Sequence, residues 1–204
     1  MALHFEASEY KARQRAVRRE LEAAGLDGLL MFKQESMYYL TGYDSFGFCF
    51  FQCLYLGGDG KLALLTRSAD LRQAQHTSML ADIRIWTDEA GADPAVQLRD
   101  MLDSLGARGK RPGIETNSYG LTHFNGKRVD AALKGFARIE DASDLVNSLR
   151  AVKSPAELNY VRKAARLGDL ALKAGIEVTR AGADEGDILA AQHAALNWTG
   201  GAMS

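Results

Sequence analysis

The segment Leu149-Arg150-Ala151-Val152-Lys153-Ser154-Pro155-Ala156-Glu157-Leu158 constrains this chain more than any other, because it divides the sequence into two parts with different hydrophobic patterns. The Ser154 hydroxyl can accept from the amide of Glu157 while the Glu157 carboxylate accepts from the amide of Ser154. Pro155 suits a first helical turn, where its missing N–H costs nothing and its φ is already helical. A helix therefore starts here. Leu158, Val161, Ala165, Gly168, Leu172 and Ile176 recur on one helical face, and Tyr160, Ala164, Leu167, Ala171, Ala174 and Val178 form a second apolar stripe beside it. Arg162, Arg166, Asp169, Lys173, Glu177 and Arg180 fill the remaining face. The helix is thus expected to lay a broad apolar surface against something large, such as a sheet. A second helix is expected from Asp184, whose carboxylate can cap it, through Ile188, Leu189 and Ala195. The tail over 197–204 has no strand pattern.

Before the junction the pattern alternates. Residues 8–24 read as a helix with Val17, Leu21 and Ala24 on its apolar side and Gly25 in a C-terminal capping position. Gly28-Leu29-Leu30-Met31-Phe32 is apolar on both faces, as expected of an inner strand covered on each side. The apolar runs over 48–56 and 62–66 flank Gly57-Gly58-Asp59-Gly60, which predicts a hairpin at the centre of the sheet. The spacing then predicts a helix over 68–79, a strand over 83–86, a helix over 94–105 and a strand over 113–115. A helix over 119–134 capped by Ser118, a short strand at 138–139 and a helix over 142–150 complete the series. This order predicts an α/β domain over residues 1–152, a mixed sheet covered by helices on both faces, with a second part over 153–204.

Composition narrows the function classes. The chain has 204 residues, 47% of them hydrophobic, enough for a real core. A net charge of −1, from 25 basic and 26 acidic residues, leaves no electrostatic footprint for nucleic acid or a membrane surface. The amino terminus lacks a basic region followed by an apolar core, and no run approaches the length of a membrane span, so a cytoplasmic location is expected. Cys49 and Cys53, four apart in a run that reads as a strand, would point to one face roughly 13 Å apart. They are expected as buried, reduced thiols. His4, His76, His123 and His193 show no zinc-ligand spacing, and none is assigned a catalytic role.

The Arg-Ala-Val-Lys-Ser-Pro-Ala-Glu-Leu run of the junction, the Lys-Ala-Ala after it and Thr179-Arg180-Ala181-Gly182 resemble the entry into the catalytic domain of the creatinase/prolidase (Xaa-Pro peptidase) superfamily, the pita-bread metallohydrolases. Leu21-Glu22-Ala23-Ala24-Gly25-Leu26-Asp27-Gly28-Leu29-Leu30 and Met37-Tyr38-Tyr39-Leu40-Thr41-Gly42-Tyr43 are similar to the opening helix, first strand and "YLTGY" turn of the creatinase-type amino-terminal domain. The resemblance implies that residues 1–152 form that domain and that 153–204 are the helical start of an incomplete pita-bread domain. It also implies that a full-length homologue binds two divalent ions (manganese, cobalt or zinc) through two aspartates, a histidine and two glutamates. Nothing here corresponds to that set, so no metal ligand and no catalytic residue is assigned, and no cofactor is expected in this chain.

In creatinase-like homodimers the amino-terminal domain reaches toward the neighbouring subunit's active site, so a homodimer is expected, acting on a small-molecule or peptide substrate. The candidate loop is Thr41-Gly42-Tyr43-Asp44-Ser45-Phe46-Gly47-Phe48. Tyr43, Asp44 and Phe48 are its candidate substrate-binding residues, and Arg67, just past a strand end, is a candidate carboxylate partner. The alternative for each is a turn with tucked aromatic rings and a solvated arginine. Phe50, Phe51 and Tyr55 are expected in the core. The function implied is the amino-terminal portion of a metal-dependent Xaa-Pro dipeptidase, aminopeptidase P-like or ectoine-hydrolase-like hydrolase. The alternative class is a non-catalytic binding or dimerisation module.

Overall fold

The computed structural model describes residues 3–198, which divide into two compact units, one ending at Val152 and one starting at Lys153. In the first unit the order is α1 (Ala7–Ala23), β1 (Gly28–Met31), α2 (Gln34–Thr41), β2 (Cys53–Gly57), β3 (Leu62–Arg67), a 3-10 turn (Ser68–Asp70), α3 (Leu71–Thr77) and β4 (Asp82–Trp86). There follow α4 (Pro94–Ser104), β5 (Pro112–Ile114), α5 (His123–Leu133), β6 (Glu140–Asp141) and α6 (Leu145–Ala151).

The six strands form one mixed sheet in the order β4-β3-β2-β1-β5-β6. Strand β1 lies inside it, antiparallel to β2 and parallel to β5, which pairs Leu30 with both Tyr55 and Ile114. Successive side chains of a strand point to opposite faces, so an inner strand covered twice must be apolar throughout. Leu30 accordingly joins Cys53, Tyr55 and Leu65 with Leu98 and Leu102 of α4 and Val129 and Leu133 of α5 on one face. Leu29 and Met31 join Leu54, Leu56 and Leu64 with Val17 and Leu21 of α1, Leu40 of α2, Ala74 of α3 and Val146 of α6 on the other. The sheet is mixed, with helices on both faces, as the alternation predicts.

Several local expectations are corrected. The run over 48–56 is a strand only from Cys53, because the amide of Phe50 turns back to the carbonyl of Gly47 at 3.0 Å. Cys49 is therefore exposed and shares no strand face with Cys53, which is buried. Phe50 is 43% exposed rather than in the core, whereas Phe51 and Tyr55 are buried. Ser118 does not cap α5. Its hydroxyl accepts from the amide of Gly120, and Thr122 caps the helix instead, accepting from Asn125 at 3.3 Å. Gly120 packs close to the backbone at the exit of β1, where a β-carbon would lie 2.9 Å from the carbonyl oxygen of Phe32. The last strand falls at Glu140–Asp141, two residues after the expected 138–139. The Met37–Gly42 motif is less a turn than the end of helix α2, closed by Gly42 at φ +81°.

The second unit holds α7 (Pro155–Val178) and α8 (Glu185–Trp198). Its first turn carries the expected reciprocal cap, with the amide of Glu157 donating to Ser154 Oγ at 3.2 Å and the amide of Ser154 donating to the Glu157 carboxylate at 2.8 Å. Asp184 caps α8 by accepting from the amide of Gly186 at 2.7 Å. Gly175 is the buried residue of α7, and a β-carbon there would meet the Gln192 side chain of α8 at 2.6 Å. The predicted stripe holding Leu158, Val161, Leu172 and Ile176 is exposed, and the second stripe is exposed at Tyr160 and Ala164 and partly buried at Leu167, Ala171, Ala174 and Val178. The tail expectation beyond Trp198 lies outside the described residues.

A buried carboxylate fastens the first unit. Glu115, fully buried, follows β5 and accepts from the amides of Phe32 and Lys33 at 3.1 and 2.9 Å and from Ser36 Oγ at 2.5 Å. Burial pushes its carboxyl above the usual glutamate range despite these donors. The native state then holds that proton more tightly than the unfolded chain, so this group makes stability fall as pH rises from the ordinary glutamate value through the raised one. Glu115→Ala should cost about 3 kcal/mol by orphaning three donors. Glu115→Gln, which can still accept from both amides and donate to Ser36 Oγ, should cost under about 1 kcal/mol and remove the acid-side slope. Urea denaturation across pH checks both, and equal losses in the two variants would contradict this account.

Candidate functional site

Strands β1, β3, β4, β5 and β6 run in one direction and β2 in the other. The residues following β1, β3 and β5 and those preceding β2 consequently gather at one sheet edge. In open α/β sheets, ligands bind outside the carboxyl ends of the strands. A small pocket opens there, lined by Phe32, Gln34, Met37, Tyr43, Ser45, Phe48, Phe50 and Gln52. Its interior has room for about one water molecule, so a larger ligand would rest across the pocket mouth against its rim.

The floor is a hydrogen-bonded network. Tyr43 is fully buried, its hydroxyl donating to Gln52 Oε1 at 2.5 Å and lying 3.3 Å from Thr66 Oγ1. Thr66 Oγ1 donates to the same amide oxygen at 2.9 Å, while Gln52 Nε2 donates to the carbonyl of Gly47 at 2.7 Å. Gln34 Nε2 donates to the carbonyl of Ser45. Burial, with the nearby Asp70 carboxylate adding to it, raises the Tyr43 phenol above its ordinary value, so the floor carries no charge at neutral pH.

The rim is aromatic and cationic. Phe48 is half exposed and meets Tyr119 edge-on at 6.2 Å. The guanidinium of Arg67 lies 3.4 Å from the centroid of Phe50, and its Nε donates to Asp70 at 2.8 Å. Its Nη groups make no hydrogen bond among the described residues. A planar cation fixed by stacking and by one anchor, with its terminal fork unused, is suited to a carboxylate.

Of the four candidate residues, Tyr43 and Phe48 share the pocket, and Arg67 is joined to it through Phe50. Tyr43 lies beneath the pocket as floor, too deep to be a surface contact. Asp44 stands apart: it is exposed, and its amide donates to Thr77 Oγ1 at 3.1 Å. Sequence reasoning did not single out Gln34, Phe50 or Gln52 for the pocket, and it named Ser45 only as part of the candidate loop. For Gln52 a signal existed, since it is the lone polar residue in the run Phe48-Cys49-Phe50-Phe51-Gln52-Cys53-Leu54. Tyr43→Phe should remove one bond to Gln52 and cost about 1 kcal/mol, read as a lower urea midpoint with an unchanged slope. An unchanged midpoint would mean that the phenol contributes nothing to the floor.

The arrangement offers shape, amide polarity and a cationic fork, chemistry that is able to hold an anionic ligand. The chain is 31% identical over 205 aligned residues, 97% of its length, to an uncharacterized hydrolase/peptidase of Sinorhizobium fredii. It is 32% identical over 82% of its length to an ectoine hydrolase of Halomonas elongata. It spans about half the length of these curated relatives, 52% and 43%. Its fold matches an Xaa-Pro dipeptidase from Bacillus anthracis with a TM-score of 0.75 at 18% identity, covering 94% of this chain and 50% of that one. The model of the Creatinase/Prolidase N-terminal domain matches residues 13–152, and the chain belongs to that family.

Proposed function

We propose that this chain is the amino-terminal portion of a metal-dependent hydrolase of the Xaa-Pro peptidase and creatinase type, and that residues up to Val152 serve dimerisation and substrate selection. The observation that carries this reading is Arg67, stacked on Phe50 beside a neutral pocket with its terminal fork unused. Substrates cleaved by such enzymes carry a carboxylate next to a compact ring or amide. A cationic fork beside uncharged walls fits that pairing.

Among the described residues no three His, Cys, Asp or Glu side chains come together as a metal site. These residues therefore do not fit a two-metal centre, and the role assigned to them is holding the substrate, not cleaving it. The 32% identity to an ectoine hydrolase favours a second reading in which the substrate is a small zwitterionic solute instead of a dipeptide. Among the described residues no helix is long and apolar enough to cross a membrane, and both cysteines are free.

The protein that carries this chain should be assayed with manganese, cobalt or zinc against Xaa-Pro dipeptides and against ectoine. Arg67→Ala and Phe50→Ala should raise KM about tenfold with kcat within about twofold, since they remove binding and not chemistry. Loss of kcat at unchanged KM, or turnover of neither substrate class, would overturn the reading. The expected two-fold dimer is checked by light scattering at roughly tens of micromolar, where a monomer mass would refute it.

A further inference from the structure

Gln52 is 96% buried by virtue of its 4% exposure, and both ends of its carboxamide are in use. The oxygen accepts from Tyr43 and Thr66, and the nitrogen donates to the Gly47 carbonyl and, at 3.4 Å, to Ser45 Oγ. The two ends serve different structures. The oxygen grips the body of the domain, since Thr66 is in β3 next to Arg67. The nitrogen grips the loop, whose Ser45 Oγ also accepts from the amide of Gly47 at 2.9 Å and whose Gly47 carbonyl also accepts from Phe50. A β-carbon on Gly47 would stand 2.7 Å from Gln52 Nε2 and 3.2 Å from Asp70 Oδ1, so a larger residue there would have to displace the Gln52 carboxamide. One side chain thus links the segment bearing Phe48 and Phe50 to the strand bearing Arg67.

We propose that Gln52 is the positioning residue of this site, its carboxamide holding Phe48 and Phe50 in register with Arg67 by donating to Gly47 while accepting from Tyr43 and Thr66. This rests on the reading of the cleft as a substrate-selecting surface, but the hold itself is a property of the chain alone. The feature that matters is the direction of the amide. A carboxylate of the same shape keeps the two acceptor bonds and turns the donor to Gly47 into an acceptor facing an acceptor. Once protonated, that carboxyl regains a donor.

Gln52→Glu in the present chain therefore makes the loop pH-dependent. Hydrogen exchange over residues 44–50, corrected for its intrinsic pH dependence, should be about tenfold faster than in the parent near pH 8 and return toward the parent near pH 5, with exchange in α4 and α5 unchanged. Ser45→Ala, which removes one anchor without placing a charge in the interior, should quicken exchange over the same segment at both pH values. In the protein that carries the chain, Gln52→Glu should raise KM about tenfold at pH 8 with kcat within about twofold. Exchange over 44–50 that matches the parent at both pH values, or that quickens equally throughout the domain, overturns the positioning role. Quickened exchange without a change in KM upholds the hold on the loop and overturns the substrate-selecting reading, so the two failures are separable.

Discussion

The first unit depends on the burial of one carboxylate. A charge leaves water only where fixed donors replace the lost hydration. Glu115 finds them in the amides of Phe32 and Lys33 and in Ser36 Oγ, all at the start of α2, where the helix dipole favours an anion. Those donors converge only if the chain leaves β1 in one direction. Lys33, turned by the same geometry, extends its Nζ to the Ser143 carbonyl at 2.8 Å, and Ser143 Oγ accepts from the amides of Thr116 and Asn117. The ends of β1, β5 and β6 are thereby tied along one polar line. With the start of α2 fixed, its end is fixed too, and Gly42 delivers Tyr43 into the interior beside Thr66. The candidate site is built on that delivery.

The two buried polar centres do different work because they meet different groups. Glu115 meets backbone amides, which cannot move without unfolding a helix start, so it acts as a fastening. Gln52 meets one loop carbonyl and three hydroxyls, and the loop it holds is exposed at Phe46, Phe48 and Phe50. Its exposed rings alternate with the buried Tyr43, Ser45 and Gly47, so the loop is held from beneath by the bonds that Gln52 makes.

Much of the fold was legible in the sequence. The all-apolar Gly28–Met31 strand required cover on both faces, the glycine-rich turn after Leu56 required a hairpin, and Ser154 with Glu157 required a helix start. These are local rules that tertiary packing reinforces. What the sequence concealed was decided by contacts across the chain. The apolar run over 48–56 obeys the strand pattern throughout, yet Gln52 captures Gly47 and bends its first half out of the sheet. Ser118 is as good a cap as Thr122 by residue type, but its hydroxyl is taken by the amide of Gly120, and Thr122 is left to cap α5. Helix α2 went unrecognised because its eight residues carry too little periodicity, its start being set by Glu115, about 80 positions away in sequence.

The site was hidden for a related reason. Tyr43, Phe48 and Arg67 were recognisable as residue types that bind ligands, but their roles follow from depth and partners. Tyr43 is buried beside Asp70 and stays a neutral donor beneath the pocket. Arg67 has one nitrogen committed to Asp70 and its flat face committed to Phe50, so only the ends of its fork remain to meet a ligand. On the proposed reading, with Asp70 offsetting part of its charge, the cleft would attract anions weakly at long range and discriminate at contact, by the angle and distance of a carboxylate from a ring-backed fork. Discrimination of that kind requires the fork and the pocket walls to keep a fixed spacing. The spacing is set between β3 and the loop before β2, and Gln52 is the side chain that spans them.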